Sequence, residues 1–263
     1  MTITGTGIPT AASSPPLSRK QQELRERDSH ILRVARQLAL ELGYHGFTMD
    51  HVAKASECPK GTLYHRFISK EDILVALATE SLTRRFELMR RASAFQGRPR
   101  ERALALGEAV GIFTRLNPSD SRILHMATGP VREKAAPERV VNLFTLERET
   151  VEIYRDVLRE AVRVGDLEAE TDSILDEITL GTWGLVDGVY TLIEGGIVEH
   201  SLRIDSPFSQ VWCFFNRTAD AYGWQPRFNE WNYDETMATI RKQIFPEEAQ
   251  ALYGEGQWYG DHC

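Results

Sequence analysis

Between Thr48 and Asp72 the chain reads TMDHVAKASECPKGTLYHRFISKED, and this stretch limits the possible folds more than any other. Thr48 is a good helix N-cap, and Met49, Val52 and Ala53 mark the inward face of a short helix. Ser56-Glu57-Cys58 forms a turn, with Cys58 as a small buried hydrophobe. Pro59 is expected as the first residue of a second helix, where its fixed φ is well suited. Leu63 and Phe67, four apart, must then face a core, which leaves Lys60, Gly61, Tyr64 and His65 on the opposite side and Thr62 at its edge. Ser69 caps a third helix, with Asp72 completing a capping-box-like pair. The exposed face offers a cation, a hydroxyl, a phenol and an imidazole beside a glycine that permits close approach. Such groups bond phosphate oxygens or base edges, and a helix of this width enters a major groove.

Upstream, Ile31, Leu32, Ala35, Leu38, Ala39 and Leu42 recur at spacings of three and four, which predicts a helix from about residue 20 to 42 ended by Gly43. Residues 1–18 are dominated by Thr, Ser, Gly, Pro and Ala and are expected to be a disordered arm. Arg19, Lys20, Arg25 and Arg27 follow, as a basic arm for DNA or as a solvated helix start.

The run from Ile31 to Leu74 resembles the DNA-binding domain of TetR-family (tetracycline-repressor-like) transcription regulators. The residues that carry the likeness are Gly43-Tyr44, Phe47-Thr48, Val52-Ala53, Lys60-Gly61-Thr62-Leu63-Tyr64-His65, Phe67 and Ser69-Lys70-Glu71-Asp72. The resemblance implies an all-α fold: an N-terminal three-helix helix-turn-helix head and a larger C-terminal helical domain for ligand binding and dimerisation. Carried over by position, it assigns Thr48 and Lys70 to phosphate, and Lys60, Gly61, Thr62, Tyr64 and His65 to the groove. Two positions depart from the pattern: Glu57 stands where glycine is usual, which would add strain or repulsion, and Pro59 replaces a common serine cap.

The charge distribution suits this reading. Through residue 85 there are 12 Lys and Arg against 9 Asp and Glu; beyond it there are 19 against 29. A mildly basic head on an acidic body presents one end to a polyanion. Cys58, Cys213 and Cys263 are too few and too scattered for a disulfide framework or a zinc site. No apolar run reaches the length of a membrane span, about 20 residues, and no signal peptide is recognisable, so a cytoplasmic protein without membrane contact is expected.

The rest reads as helices and loops. The head is expected to span 19–85, including a long helix over 69–95 with Ile73, Leu74, Leu77, Leu82, Phe86 and Met89 on its apolar face. A body spans 86–222, with helices at about 100–116, at Ile123–Ala127 after a break at Asn117-Pro118-Ser119, and at Pro137–Val164. Asp172–Glu194 carries Gly181, Gly184 and Gly188. Each costs about 1 kcal/mol in a helix interior relative to alanine, which suggests close approach of another helix. Asp205–Tyr222 carries Phe208, Trp212, Phe214 and Phe215. These two helices resemble the family's four-helix dimer interface, with Gly181, Gly184, Gly188, Phe208, Trp212 and Phe215 as its residues; burial in a monomer core is the alternative.

Trp183, Asp187 and Tyr190 share one helix face, and Phe113, His125, Met126, Phe144 and Tyr154 are candidates for the remaining walls of a small-molecule pocket, unless they are core packing. An aromatic cage with few polar groups suits an apolar or cationic ligand. An aromatic-rich extension, 223–263, is expected to pack on the body, with helices at 234–244 and 246–253. No Gly-rich phosphate loop, metal-ligand spacing or nucleophile elbow occurs, so neither an enzyme nor a cofactor is expected. The expected partners are a palindromic double-stranded operator, a second copy of the chain and a small-molecule effector of unknown identity. The expected activity is regulation of transcription as a repressor released by that effector; the rival is a chromosome-organising or partner-controlled DNA-binding protein.

Overall fold

The computed structural model describes residues 18–204 and 207–254, and among these every regular element is helical. The expected disordered arm, apart from Ser18, lies outside the described residues, as do Trp258, Tyr259 and Cys263.

The head comprises α1 (Arg19–Gly46), α2 (Met49–Ala55) and α3 (Lys60–Arg66). Ser18 opens α1 with a reciprocal capping box to Gln21, and Gly43 breaks its last turn at φ +68°, so the glycine is the stop that the spacing predicted. Ile31, Leu32, Ala35, Ala39, Phe47, Val52, Leu63 and Phe67 form the buried centre, whereas Leu42 stays exposed.

Helix α4 (Lys70–Ala92) joins head to body. Its first half, Ile73 to Leu82, belongs to the head core, and its last turns, through Met89 and Ala92, belong to the body core. Helices α5 (Pro99–Leu116), α6 (Pro118–Met126) and α8 (Pro137–Val164) all pack on α4. The head core does not stop at the head: Ile123, Ala127, Val131, Ala135 and Leu143 complete it from α6, α7 (Pro130–Glu133) and the start of α8. Asn117-Pro118-Ser119, expected as a break ahead of a helix at Ile123, is the start of α6, because Pro118 occupies its first turn without forfeiting a needed N–H.

Helix α9 (Asp172–Glu194) packs on α8, α10 (Ile197–Ser201) and α11 (Pro207–Ala221). Helices α12 (Tyr233–Ile244) and α13 (Pro246–Tyr253) then dock on α5. Buried polar groups hold this extension to the body. Arg100, fully buried on α5, donates to Asp220 at 2.7 Å and to the carbonyls of Asn216, Trp224 and Pro226 at 2.6–2.8 Å. Glu108 accepts from Arg241 at 2.8 Å and from the Tyr253 hydroxyl at 3.0 Å. Each buried charge is thereby paired and hydrogen-bonded, the condition under which burial is tolerated. No helix among the described residues is long and apolar enough to cross a membrane.

Candidate nucleic-acid interface and internal cavity

Helix α3 stands on the core through Leu63 and, just beyond its end, Phe67, both essentially inaccessible. With that side fixed, Lys60, Gly61, Tyr64 and His65 are exposed, Tyr64 by 47%, and Thr62 is half-buried at the edge. A Cβ at Gly61 would meet nothing within 4 Å, so a surface can approach the backbone there. Pro59 is the N-cap rather than the first helical residue: its ψ of 133° is extended, and Lys60 opens the helix.

Three of the expected phosphate or groove groups carry intramolecular bonds. Thr48 is exposed and caps α2, its hydroxyl accepting from the His51 N–H at 3.2 Å. Lys60 reaches Asp50 at 2.8 Å, with both side chains 63% exposed; this hydrogen bond and charge raise the lysine pKa above its ordinary value. Lys70 is turned inward: its ammonium donates to the carbonyl of Tyr44 at 2.7 Å and lies 4.5 Å from that ring's centroid, so it clasps the end of α1 rather than standing free for phosphate. Arg66 at the end of α3 bonds Asp28 of α1, which offsets its positive charge. Glu57 adopts φ +52°, a left-handed conformation that disfavours a side chain.

In the body, Trp183, Asp187 and Tyr190 do face inward together from α9, and Trp183 Nε1 donates to Asp187 at 2.6 Å. They separate two adjoining cavities. One is apolar and lies against Met89, Leu106, Gly107, Tyr154, Trp212 and Phe215. The other is more polar and lies against Thr114, Ser121, His125, Thr128, Arg132 and Glu147. Arg85, Val110, Trp183 and Asp187 line both. Gly107 and Gly111 bring α5 close to the rings: a Cβ at Gly107 would sit 2.4 Å from Trp212, and one at Gly111 would sit 2.8 Å from the Tyr190 hydroxyl. Burial pushes the Tyr154 and Tyr190 phenols well above their ordinary pKa, so both remain neutral.

Of the eight expected pocket residues, His125, Tyr154, Trp183, Asp187 and Tyr190 line one or both of these two cavities, and three line neither. Phe113 is buried elsewhere, Met126 packs on the head core, and Phe144 is 51% exposed beneath the Arg132 guanidinium. Sequence reasoning missed Arg85, Arg132 and Glu147, charged residues that only the folded chain brings to one cavity.

The expected dimer residues also divide. Gly181, Gly184 and Gly188 are exposed on the outer side of α9, and a Cβ on any of them would meet nothing within 4 Å, so no helix among the described residues approaches them. Phe208, Trp212 and Phe215 are turned inward instead: the last two are buried in the core, and Phe208 packs against Tyr190 with ring centroids 5.5 Å apart. These three positions lie on one helical stripe, and that stripe of α11 is the core stripe. Phe214 is the aromatic that points out, at 38% exposure.

Comparison with known proteins bears on the head first. Residues 31–77 match the family model described as bacterial regulatory proteins, TetR family. The HTH-type transcriptional regulator UidR of Escherichia coli (strain K12) is 36% identical over 64 residues, which are 24% of this chain and 33% of UidR; the chain thus spans about a third of that relative. The HTH-type transcriptional regulator QacR of Staphylococcus aureus (strain Mu50 / ATCC 700699) is 21% identical over 181 residues, 69% of this chain and 93% of QacR. Among solved structures, a bacterial regulatory protein in the TetR family from Rhodococcus RHA1 superposes with a TM-score of 0.57 at 15% identity, covering 76% of this chain and 98% of that one, a likeness of fold.

Proposed function

We propose, from the premise that this chain belongs to the TetR family of bacterial regulators, that it is a dimeric DNA-binding repressor of transcription released by a small molecule held between α4, α5, α8 and α9. The observation that carries this reading is α3: a short helix whose only buried side chain is Leu63, leaving Gly61, Tyr64 and His65 exposed on one face beside Lys60, which is exposed and paired with Asp50. Tyr64 and His65 reach for base edges, and Lys60 for a phosphate.

Two such heads entering successive major grooves must lie about 34–36 Å apart. The second head comes from a second copy, docked on the outward glycines of α9 together with Leu180, 75% exposed, and Phe214 of α11. An effector acts by favouring a head spacing that no longer matches the groove repeat. Footprinting on DNA upstream of the chain's own gene tests the reading. Wild-type protein is expected to protect a palindromic site, with the protection abolished by Tyr64→Ala and weakened by Lys60→Ala. Unchanged protection by both variants would remove α3 as the reader.

A further inference from the structure

The lining of these cavities holds polar groups that no described residue satisfies. Arg85, on α4, has its Nε buried without a hydrogen-bond partner among the described residues. The Tyr190 hydroxyl is likewise buried and unpartnered, on a residue only 3% exposed, and it lines the polar cavity. A guanidinium carries five donors and cannot shed its charge in a protein, so leaving it unmatched costs stability unless something else binds it.

The acids whose charges act on Arg85 are Asp187 and Glu147, but neither is hydrogen-bonded to it among the described residues. Asp187 accepts from Trp183 at 2.6 Å, and both Glu147 oxygens accept from Arg132, at 2.7 and 3.0 Å. Trp183 offers Arg85 only its ring, 6.0 Å from the guanidinium carbon. The unmatched groups in this lining are therefore donors. On one side of them lies the apolar cavity of Met89, Leu106, Tyr154, Trp212 and Phe215.

We infer that the ligand of this site is an amphipathic carboxylate, its anionic head held by Arg85 and Tyr190 and its short alkyl or aryl tail in the apolar cavity. This rests on the effector reading above and names the ligand's class. It differs from the expectation of an apolar or cationic guest drawn from the aromatic residues alone, because the aromatic cage contains a guanidinium. Placing the anion on Arg85 also sets the ligand directly on α4, the helix that joins body to head.

Octanoate, octanol and octyltrimethylammonium, matched in tail and differing in head charge, separate the possibilities. Each is titrated into the full chain by calorimetry and by tryptophan fluorescence, since Trp183 and Trp212 line the site. Octanoate is expected to bind tightest. Arg85→Gln is expected to weaken octanoate by about tenfold or more while leaving octanol unchanged. Tyr190→Phe removes one oxygen without altering the packing, so it tests the head group even where the arginine variant folds poorly; a several-fold loss for octanoate alone is expected. Preference for the ammonium, equal binding of all three, or no binding of any would overturn the inference. Operator release is read in a separate arm: octanoate that binds through Arg85 yet leaves the footprint intact would sustain the carboxylate site and refute the effector reading.

Discussion

Arg84 of α4 grips Asp120 of α6 with two donors, Nη2 at 2.6 Å and Nε at 2.9 Å, and so fixes the connecting helix to the body one residue before Arg85. Ser81 donates to the same carboxylate at 2.9 Å, and Arg36 of α1 closes on it from the head. One carboxylate thus holds the head, the connecting helix and the body. Burial alone would raise the Asp120 pKa, but hydrogen bonds from Arg84 and Ser81 and the charge of Arg36 outweigh it and hold the group below its ordinary 3.8.

Asp120→Asn is expected to destabilise the chain by about 2–3 kcal/mol, because two arginines lose a buried counter-charge, although Arg84 is half in solvent. Since the folded pKa is depressed, the wild-type contribution is present above the unfolded value and lost as pH falls through the folded one. Urea unfolding at about pH 7 should therefore separate the two proteins, and the gap should close as the pH drops below about 3.8. A gap that persisted in acid would mean that the asparagine harms packing rather than charge. The same variant should loosen head from body, so that any ligand shifts operator affinity less than in wild type.

At the helix-turn-helix corner, Glu57→Gly is expected to stabilise. Glu57 sits at φ +52° with an exposed side chain, so glycine relieves a left-handed conformation and removes no buried contact. That relief, about 1–2 kcal/mol, is set against the extra entropy that glycine loses on folding, about 0.5–1 kcal/mol, leaving a net gain of up to about 1.5 kcal/mol. Thermal unfolding measures it, and a lower melting temperature would show that the turn is not strained. Removing an acid beside the DNA-facing helix should also raise affinity at low salt.

The Lys60–Asp50 pair predicts a second gain in DNA binding. Both side chains are 63% exposed, so the 2.8 Å contact adds little to stability but holds the ammonium towards α2 and partly cancels its charge. Asp50→Asn should free Lys60 and strengthen binding to operator and unrelated DNA alike, as a phosphate contact does. Lys60→Ala should weaken both and reduce the slope of log affinity against log salt by about one. Titrations at several salt concentrations decide the matter; an unchanged slope for Lys60→Ala would place that lysine away from phosphate.

Which parts could be read in advance follows from where the information resides. The limits of α8 and α9 were legible because Pro137, Gly165 and the residues around Thr171 act locally, and the exposed face of α3 followed from the spacing of Leu63 and Phe67. The inward stripe of α11 was not, since Phe208, Trp212, Phe214 and Phe215 are equally apolar and only the packing partner distinguishes them. Lys70 was assigned to phosphate by resemblance, and its bonds to the carbonyls of Tyr44 and Phe47 were not legible because those residues lie on a preceding segment that folds back onto it. Arg100 and Arg85 escaped for the same reason: their roles are set by groups far along the chain.

The outward face of α9 supplies the last prediction. Leu180 is 75% exposed, Leu192 is 45% exposed, and Gly181, Gly184 and Gly188 leave open space between them, so a facing helix can approach the backbone closely. Leu180→Glu places a charge on that face without touching the core, and a surface substitution of this kind should change monomer stability by less than about 0.5 kcal/mol. Light scattering after size exclusion is expected to show a dimer for the wild type and a monomer for the variant. The variant should also lose most operator affinity while its α3 remains intact, because one head contacts only one half-site. A variant that stayed dimeric would move the interface off α9, and a monomer that still bound at full strength would remove the requirement for paired heads.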